Sequence, residues 1–142
     1  QVDDVNEAPT SINLSALTVS ENVGGAIIGS VTAVDPDAGD SVTLTVADPR
    51  FMISNGLLRL QPGVTLDAEA TPSILVQIQA TDRDGLQLSS AFTITVTNVN
   101  EPPTSITGTF SPVPENSAGA VVGNLIVADP EGNGPYAFTV SD

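Results

Sequence analysis

The chain repeats itself. VNEAPTSI (Val5 to Ile12) returns as VNEPPTSI (Val99 to Ile106), 94 positions on. The same spacing carries Glu21-Asn22 to Glu115-Asn116, Gly29 to Gly123, Asp35-Pro36 to Asp129-Pro130, and Thr45-Val46-Ala47-Asp48 to Thr139-Val140-Ser141-Asp142, with no gap. A period of that length is the size of a small domain, so each repeat is expected to fold around its own core. The register gives one complete repeat at 5–98, the end of a preceding one at 1–4, and the first half of another at 99–142. The chain reads as a piece of a tandem array.

Within the repeat, apolar residues alternate with polar ones. Ile74, Val76, Ile78 and Ala80 alternate against Gln77, Gln79 and Thr81, and Phe92, Ile94 and Val96 against Thr93, Thr95 and Thr97. Such a period of two, rich in β-branched residues, marks half-buried strands. Asn55-Gly56 between FMIS and LLRL is a two-residue hairpin signal, because both positions of that turn need φ > 0. Seven strands follow, at about 12–19, 26–34, 41–47, 51–54, 57–61, 74–81 and 91–97. Seven short strands in one repeat suit an all-β, immunoglobulin-like Greek-key sandwich. The half repeat should hold the first three, with Val121, Leu125, Val127, Phe138 and Val140 facing inward.

Charge narrows the function. Seventeen acidic residues against three arginines leave the chain at −14, while 40% hydrophobic residues give it a core. A surface so acidic lacks the cations that phosphate contacts require, which excludes nucleic acid as a partner, and it opposes docking on anionic lipid. No run is long enough to cross a bilayer. Without cysteine there are no disulfides and no thiolate metal sites.

The acids are not spread evenly. Alternating strand direction puts Asp3, Asp4, Glu7, Asp35, Asp37, Asp40, Asp82 and Asp84 at one end of the sandwich, and Glu21, Asp48, Asp67, Glu69 and Glu101 at the other. In a stacked array the second pole of one repeat meets the first pole of the next, where Asp129 and Glu131 stand. Carboxylates about 5 Å apart repel by roughly 3 kcal/mol per pair at an effective dielectric of 20. A cation between the poles relieves that, and all-oxygen ligands without histidine or cysteine favour Ca²⁺ over the small octahedral Mg²⁺. Turns also favour Asp for backbone reasons. That reading weighs most for Asp40, Asp48 and Asp84.

The motifs together resemble those of the cadherin repeat, particularly the cadherin-like repeats of large bacterial surface proteins. SEN is similar to the family's PEN motif, LDAEA to LDRE, DPD to DxD, ATDRDG to the alanine-x-aspartate segment, and DVNEAP and NVNEPP to the linker DxNDNxP. In that family Ca²⁺ binds at the junctions between repeats. The resemblance implies a Ca²⁺ site with Glu21, Asp67 and Glu69 from one repeat, Asn100 and Glu101 from the linker, and Asp129 and Glu131 from the next. It also makes Asn6, Glu7, Asp35, Asp37 and Asp82 one half of another junction. Asn98 and Glu101 stand where the linker motif has aspartates, and Glu131 replaces the second Asp of DxD.

The function expected is a Ca²⁺-rigidified spacer or adhesion repeat on a bacterial cell surface, whose partners are adjacent repeats and other copies of itself. The alternative is an accessory carbohydrate-binding module of a secreted protein, although sugar stacking usually needs aromatics and the chain has no Trp and one Tyr. No nucleophile–base constellation points to an enzyme.

Overall fold

The computed structural model describes residues 5–132 and 134–140, and the chain divides into two units at the Val99–Asn100 bond. Asp3, Asp4 and the segment expected to end a preceding repeat lie outside the described residues. The first unit carries β1 (Ser11–Leu14), β2 (Thr18–Ser20), β3 (Ile27–Val34), β4 (Thr43–Val46), β5 (Phe51–Ser54), β6 (Leu57–Leu60), β7 (Ser73–Thr81) and β8 (Gln87–Thr97). They form two four-stranded sheets, ordered β1-β3-β6-β5 and β2-β8-β7-β4. Every pairing is antiparallel except that of β2 with β8. The architecture is the all-β sandwich expected, with no helix among the described residues.

The expected single first strand, 12–19, is instead two strands in two sheets. β1 pairs with β3, and β2 crosses over to lie beside β8. Gly29 makes room for the crossing: a Cβ there would stand 2.7 Å from Ser15 Oγ and 2.9 Å from Ala16 N. The β3–β6 register slips between Ile27 and Gly29 at the same point. The crossing chain is fastened on both sides. Ser15 N–H donates to Ser30 O at 3.0 Å, and Thr95 N–H donates to Leu17 O at 2.8 Å.

Asn55 and Gly56 join β5 to β6 with φ of 52° and 73°, the geometry a two-residue hairpin requires. The last strand starts earlier than expected, at Gln87, because Asp82 shapes a tight β7–β8 turn by accepting the N–H groups of Gly85 and Leu86. Between the sheets lie Ile12, Val31, Phe51, Leu58 and Leu60 from one side, and Val76, Ile78, Ala80, Ile94 and Val96 from the other, all buried. Each large aliphatic or aromatic side chain so buried contributes about 1.5–3 kcal/mol.

The second unit repeats the first locally. β9 (Ser105–Phe110) pairs with β10 (Gly123–Ala128), and Ser105↔Ala128 is the register equivalent of Ser11↔Val34. Asn116 and Gly119 have φ of 61° and 72°, as Asn22 and Gly25 have 60° and 67°. The third strand expected from the repeat does not form among residues 134–140. Among the described residues this unit has no second sheet, so β9 has nothing to cross to and runs on unbroken. Its apolar residues are uncovered: Ile106 is 61% exposed where its counterpart Ile12 is 7% exposed, and Leu125 is 46% where Val31 is 3%. Val121, Phe138 and Val140, expected to face a core, are exposed as well.

Candidate metal centre

The first pole gathers from three separate stretches of chain. Asn6, ahead of β1, donates from Nδ2 to Asp82 Oδ2 at 2.8 Å. Glu7 N–H donates to Asp37 Oδ2 at 2.9 Å, and Asp37 N–H donates to Asp35 Oδ1 at 2.9 Å. Asp35, Asp37 and Asp40 each bring a carboxylate oxygen within 4.8 Å of the others. Among the described residues no donor reaches Asp35 Oδ2, although that atom is buried. The entry segment, the β3–β4 loop and the β7–β8 turn thus present their oxygens to one place.

Asp82 is 5% exposed. Burial pushes its carboxyl upward, but the hydrogen bonds from Asn6, Leu86 and Gly85 outweigh that and hold it below the usual range. The nearest basic residue, Arg83, approaches the exposed Asp84 at 3.9 Å. The sequence put Asp40 at this end of the sandwich, with more weight on a turn role than for its neighbours, and the resemblance did not include it among the ligands. The structure adds it to the pair Asp35 and Asp37.

The second pole is built on a carboxylate that water scarcely reaches. Glu21, directly after β2, is 1% exposed and accepts two backbone N–H groups, Ala68 at 2.6 Å on Oε2 and Val99 at 2.6 Å on Oε1. Asn22 takes positive φ just beyond it and donates its N–H to Leu66 O, which turns the chain back over the β6–β7 loop. In that loop Asp67 Oδ1 accepts Ala70 N–H at 2.7 Å. The Glu69 carboxylate accepts from Asn98 Nδ2 and brings an oxygen within 4.8 Å of one on Glu21. Asp48, assigned to this pole from the strand order, pairs with Arg50 at 2.6 Å.

The second unit rebuilds part of the first pole, the network of Asn6, Glu7, Asp37 and Asp35. Asn100 Nδ2 donates to Glu101 O, as Asn6 Nδ2 does to Glu7 O. Glu101 N–H donates to Glu131 Oε1 at 2.8 Å, and Glu131 N–H to Asp129 Oδ1 at 3.1 Å. The longer Glu131 therefore occupies the place of Asp37 in the same network. Hydrogen bonding to the Glu101 side chain and backbone drops Glu131 to about 2, while burial and the shared hydrogen bond to Glu131 raise Asp129. Neighbouring carboxyls whose titrations are driven apart in this way crowd each other's negative charge. A hard cation would relieve that crowding.

No family model matches the chain. Human protocadherin beta-1 is 35% identical over 70% of this chain and 13% of its own length. Human protocadherin gamma-B7 is 31% identical over 99% of this chain and 17% of its own. Human cadherin-related family member 1 is 39% identical over 60% of this chain. The chain spans only 11% to 17% of the length of these curated relatives. Among solved structures, EC1-2 of human protocadherin-24 matches with a TM-score of 0.66 at 22% identity, covering 88% of this chain and 61% of that one. Extracellular cadherin domains 1-5 of protocadherin gamma B2 match with 0.66 at 24%, covering 92% and 27%. At these identities the likeness is one of fold.

Proposed function

We propose that this chain, whose likeness to protocadherins and cadherin-related proteins supports its place in the cadherin domain family, is a stretch of an extracellular adhesion array stiffened by Ca²⁺ between repeats. On this reading residues 5–98 are one complete repeat and residues 99–142 open another. Glu21, Asp67 and Glu69 at the end of one repeat, with Asn100, Glu101, Asp129 and Glu131 at the start of the next, hold the ions. Asn6, Glu7, Asp35, Asp37 and Asp82 take the corresponding role toward a preceding repeat. Placement on a bacterial surface belongs to the same proposal and is carried by the motif resemblance.

The observation that supports it most is the network built twice, 94 residues apart: Asn6, Glu7, Asp37 and Asp35, then Asn100, Glu101, Glu131 and Asp129. In both copies backbone N–H groups fix the carboxylates and leave oxygens over. Asp35 Oδ2 and Glu131 Oε2 are buried without a donor among the described residues. The donor set is entirely oxygen, as Ca²⁺ requires. When bound, the ion supplies positive charge where like charges otherwise repel, so the work of these residues is to resist bending.

The test is a melting curve in Ca²⁺, in chelator, and in NaCl of equal ionic strength. A ligand that binds only the folded state adds RT ln(1 + [L]/Kd), about 2.7 kcal/mol at a hundredfold excess over Kd. Ca²⁺ should raise the midpoint well beyond NaCl. Equal responses to the two salts would mean general screening and no site.

A further inference from the structure

The β2-β8-β7-β4 sheet ends on β2, which has a strand on one side only. Its contacts tell which way its backbone faces. Leu17 O accepts Thr95 N–H at 2.8 Å, Val19 O accepts the Thr97 hydroxyl at 3.2 Å, and Glu21 N–H donates to Thr97 O at 3.1 Å. All three contacts lead to β8. Alternate residues of an extended strand turn their N–H and C=O groups to opposite sides, so those of Thr18 and Ser20 point out from the edge. Asn22, the next residue on that side, gives its N–H to Leu66 O. Thr18 and Ser20 are exposed, and among the described residues no backbone group receives theirs.

The 94-residue spacing supplies a comparison. Thr18-Val19-Ser20 corresponds to Pro112-Val113-Pro114. Proline has no N–H, so the donors are missing at the two outward positions and kept at the one that faces β8. Prolines placed in this way close a sheet edge to further strands and leave its inner pairing intact. One repeat therefore shuts this edge where the other leaves it open. Beside the open edge lies a depression of about 340 Å³, lined by residues that include Thr18, Ser20, Val23, Ala26 and Ile27 and by no ionisable one. Val23 and Ile27 are 49% and 56% exposed.

We propose that the outer edge of β2 docks an extended, cationic segment of a partner protein, which joins the sheet as a further strand. Recognition lies in the backbone: the N–H and C=O groups of Thr18 and Ser20 match another extended chain, as in other strand additions. An aliphatic side chain of the segment covers Val23 and Ile27 in the depression. Charge chooses among extended chains. A second copy carries −14 as this one does and is repelled, while a cationic segment is drawn in. The end of β2 strengthens that choice, because Glu21 follows it directly with a Glu69 oxygen within 4.8 Å of one of its own.

The probe is a short capped peptide of alternating valine and lysine, added to the full ¹⁵N-labelled chain in chelator so that no metal competes. Amide shifts should move at Thr18 and Ser20, and exchange of these two N–H groups should slow. Thr18→Pro with Ser20→Pro, which copies the other repeat, should weaken binding about tenfold through two lost hydrogen bonds. It should unfold at nearly the parent's urea concentration, whereas Val19→Pro should unfold earlier. Peptides methylated on the lysine nitrogens or on the valine nitrogens test the same bonds without altering the protein: one should bind and the other should not. Equal binding by parent and double-proline variant would overturn the proposal, as would unfolding of that variant or indifference to both methylated probes. Shifts confined to the acidic poles would also overturn it. So would shifts at β2 that follow protein concentration without peptide, since a second copy would then be the occupant.

Discussion

Glu21 holds Val99 from 78 residues away, its Oε1 accepting the Val99 N–H at 2.6 Å while Oε2 accepts that of Ala68 at the same distance. One carboxylate therefore sets where the last strand ends and where the β6–β7 loop lies. It is the best-buried acid among the described residues, and each of its oxygens accepts a backbone N–H. A buried charge so placed survives because it receives hydrogen bonds on each side.

Glu21→Ala should cost about 2–4 kcal/mol, since it leaves two N–H groups without an acceptor as well as a void. Glu21→Gln keeps the shape but turns an NH₂ toward a backbone N–H and should cost about 1–3 kcal/mol. Urea unfolding in chelator measures both without interference from metal. A Gln variant as stable as the parent would show that the negative charge is not what the site recognises.

Glu69→Ala and Asp67→Asn test the pole differently. Both side chains are exposed, and neither supports the core. Asparagine at 67 keeps an oxygen for the Ala70 N–H. Stability in chelator should change by less than about 0.5 kcal/mol, while calorimetry should find Ca²⁺ binding at least tenfold weaker. If affinity is unchanged in both variants, the ion sits elsewhere.

Gly29→Ala probes the crossing of the first strand. The added methyl meets Ser15 Oγ and Ala16 N well inside contact distance, and backbone there cannot move without breaking the bonds of Ser15 and Ser30. We expect a loss of about 1–3 kcal/mol and faster amide exchange in β2. An unaltered exchange rate in β2 would contradict this account of the glycine.

The Asp48–Arg50 pair predicts a small acid dependence. The side-chain hydrogen bond from Arg50 holds Asp48 below the ordinary carboxylate range, so the native state binds fewer protons than the unfolded one as pH falls. Stability from this pair is therefore complete above the unfolded value, near pH 4, and is lost as pH drops through the lower native one. Arg50 is 43% exposed, so the effect is under about 1 kcal/mol. Asp48→Asn should remove that part of the acid limb and leave stability at pH 7 lowered by the same small amount.

Much of this was legible because strands and carboxylates obey local rules. Alternation located β7 and the core half of β8, and Asn55-Gly56 located the hairpin. The 94-residue spacing aligned Asn6-Glu7 with Asn100-Glu101 and Asp35 with Asp129, and the family resemblance added Asp37 and Glu131 as ligands. What local rules do not carry is a choice made by distant strands. β2 leaves the first sheet because Thr95 to Thr97 are there to receive it, and nothing between Ile12 and Val19 announces this. The start of β8 was hidden in Leu88-Ser89-Ser90, which has little strand character, and was decided by the turn that Asp82 holds. Topology assigned Asp48 to an end of the sandwich but gave no sign of its pairing with the arginine two residues on. In the second unit, strand propensity alone did not make Phe138 and Val140 into a strand, since ordering entropy needs partners to offset it.

The split first strand also decides how the repeat meets tension. The chain comes in through β1 and goes out through β8, so pulling on the two ends drags these strands in opposite directions along their own lengths. β2 runs parallel to β8, with Thr18, Val19 and Ser20 against Thr95, Val96 and Thr97, and Glu21 N–H adds a further rung to Thr97 O. Loaded this way, the rungs are sheared together instead of being unzipped from one end, and none can part without the rest. A strand of three residues thereby becomes the clasp that both sheets must release before the sandwich can lengthen.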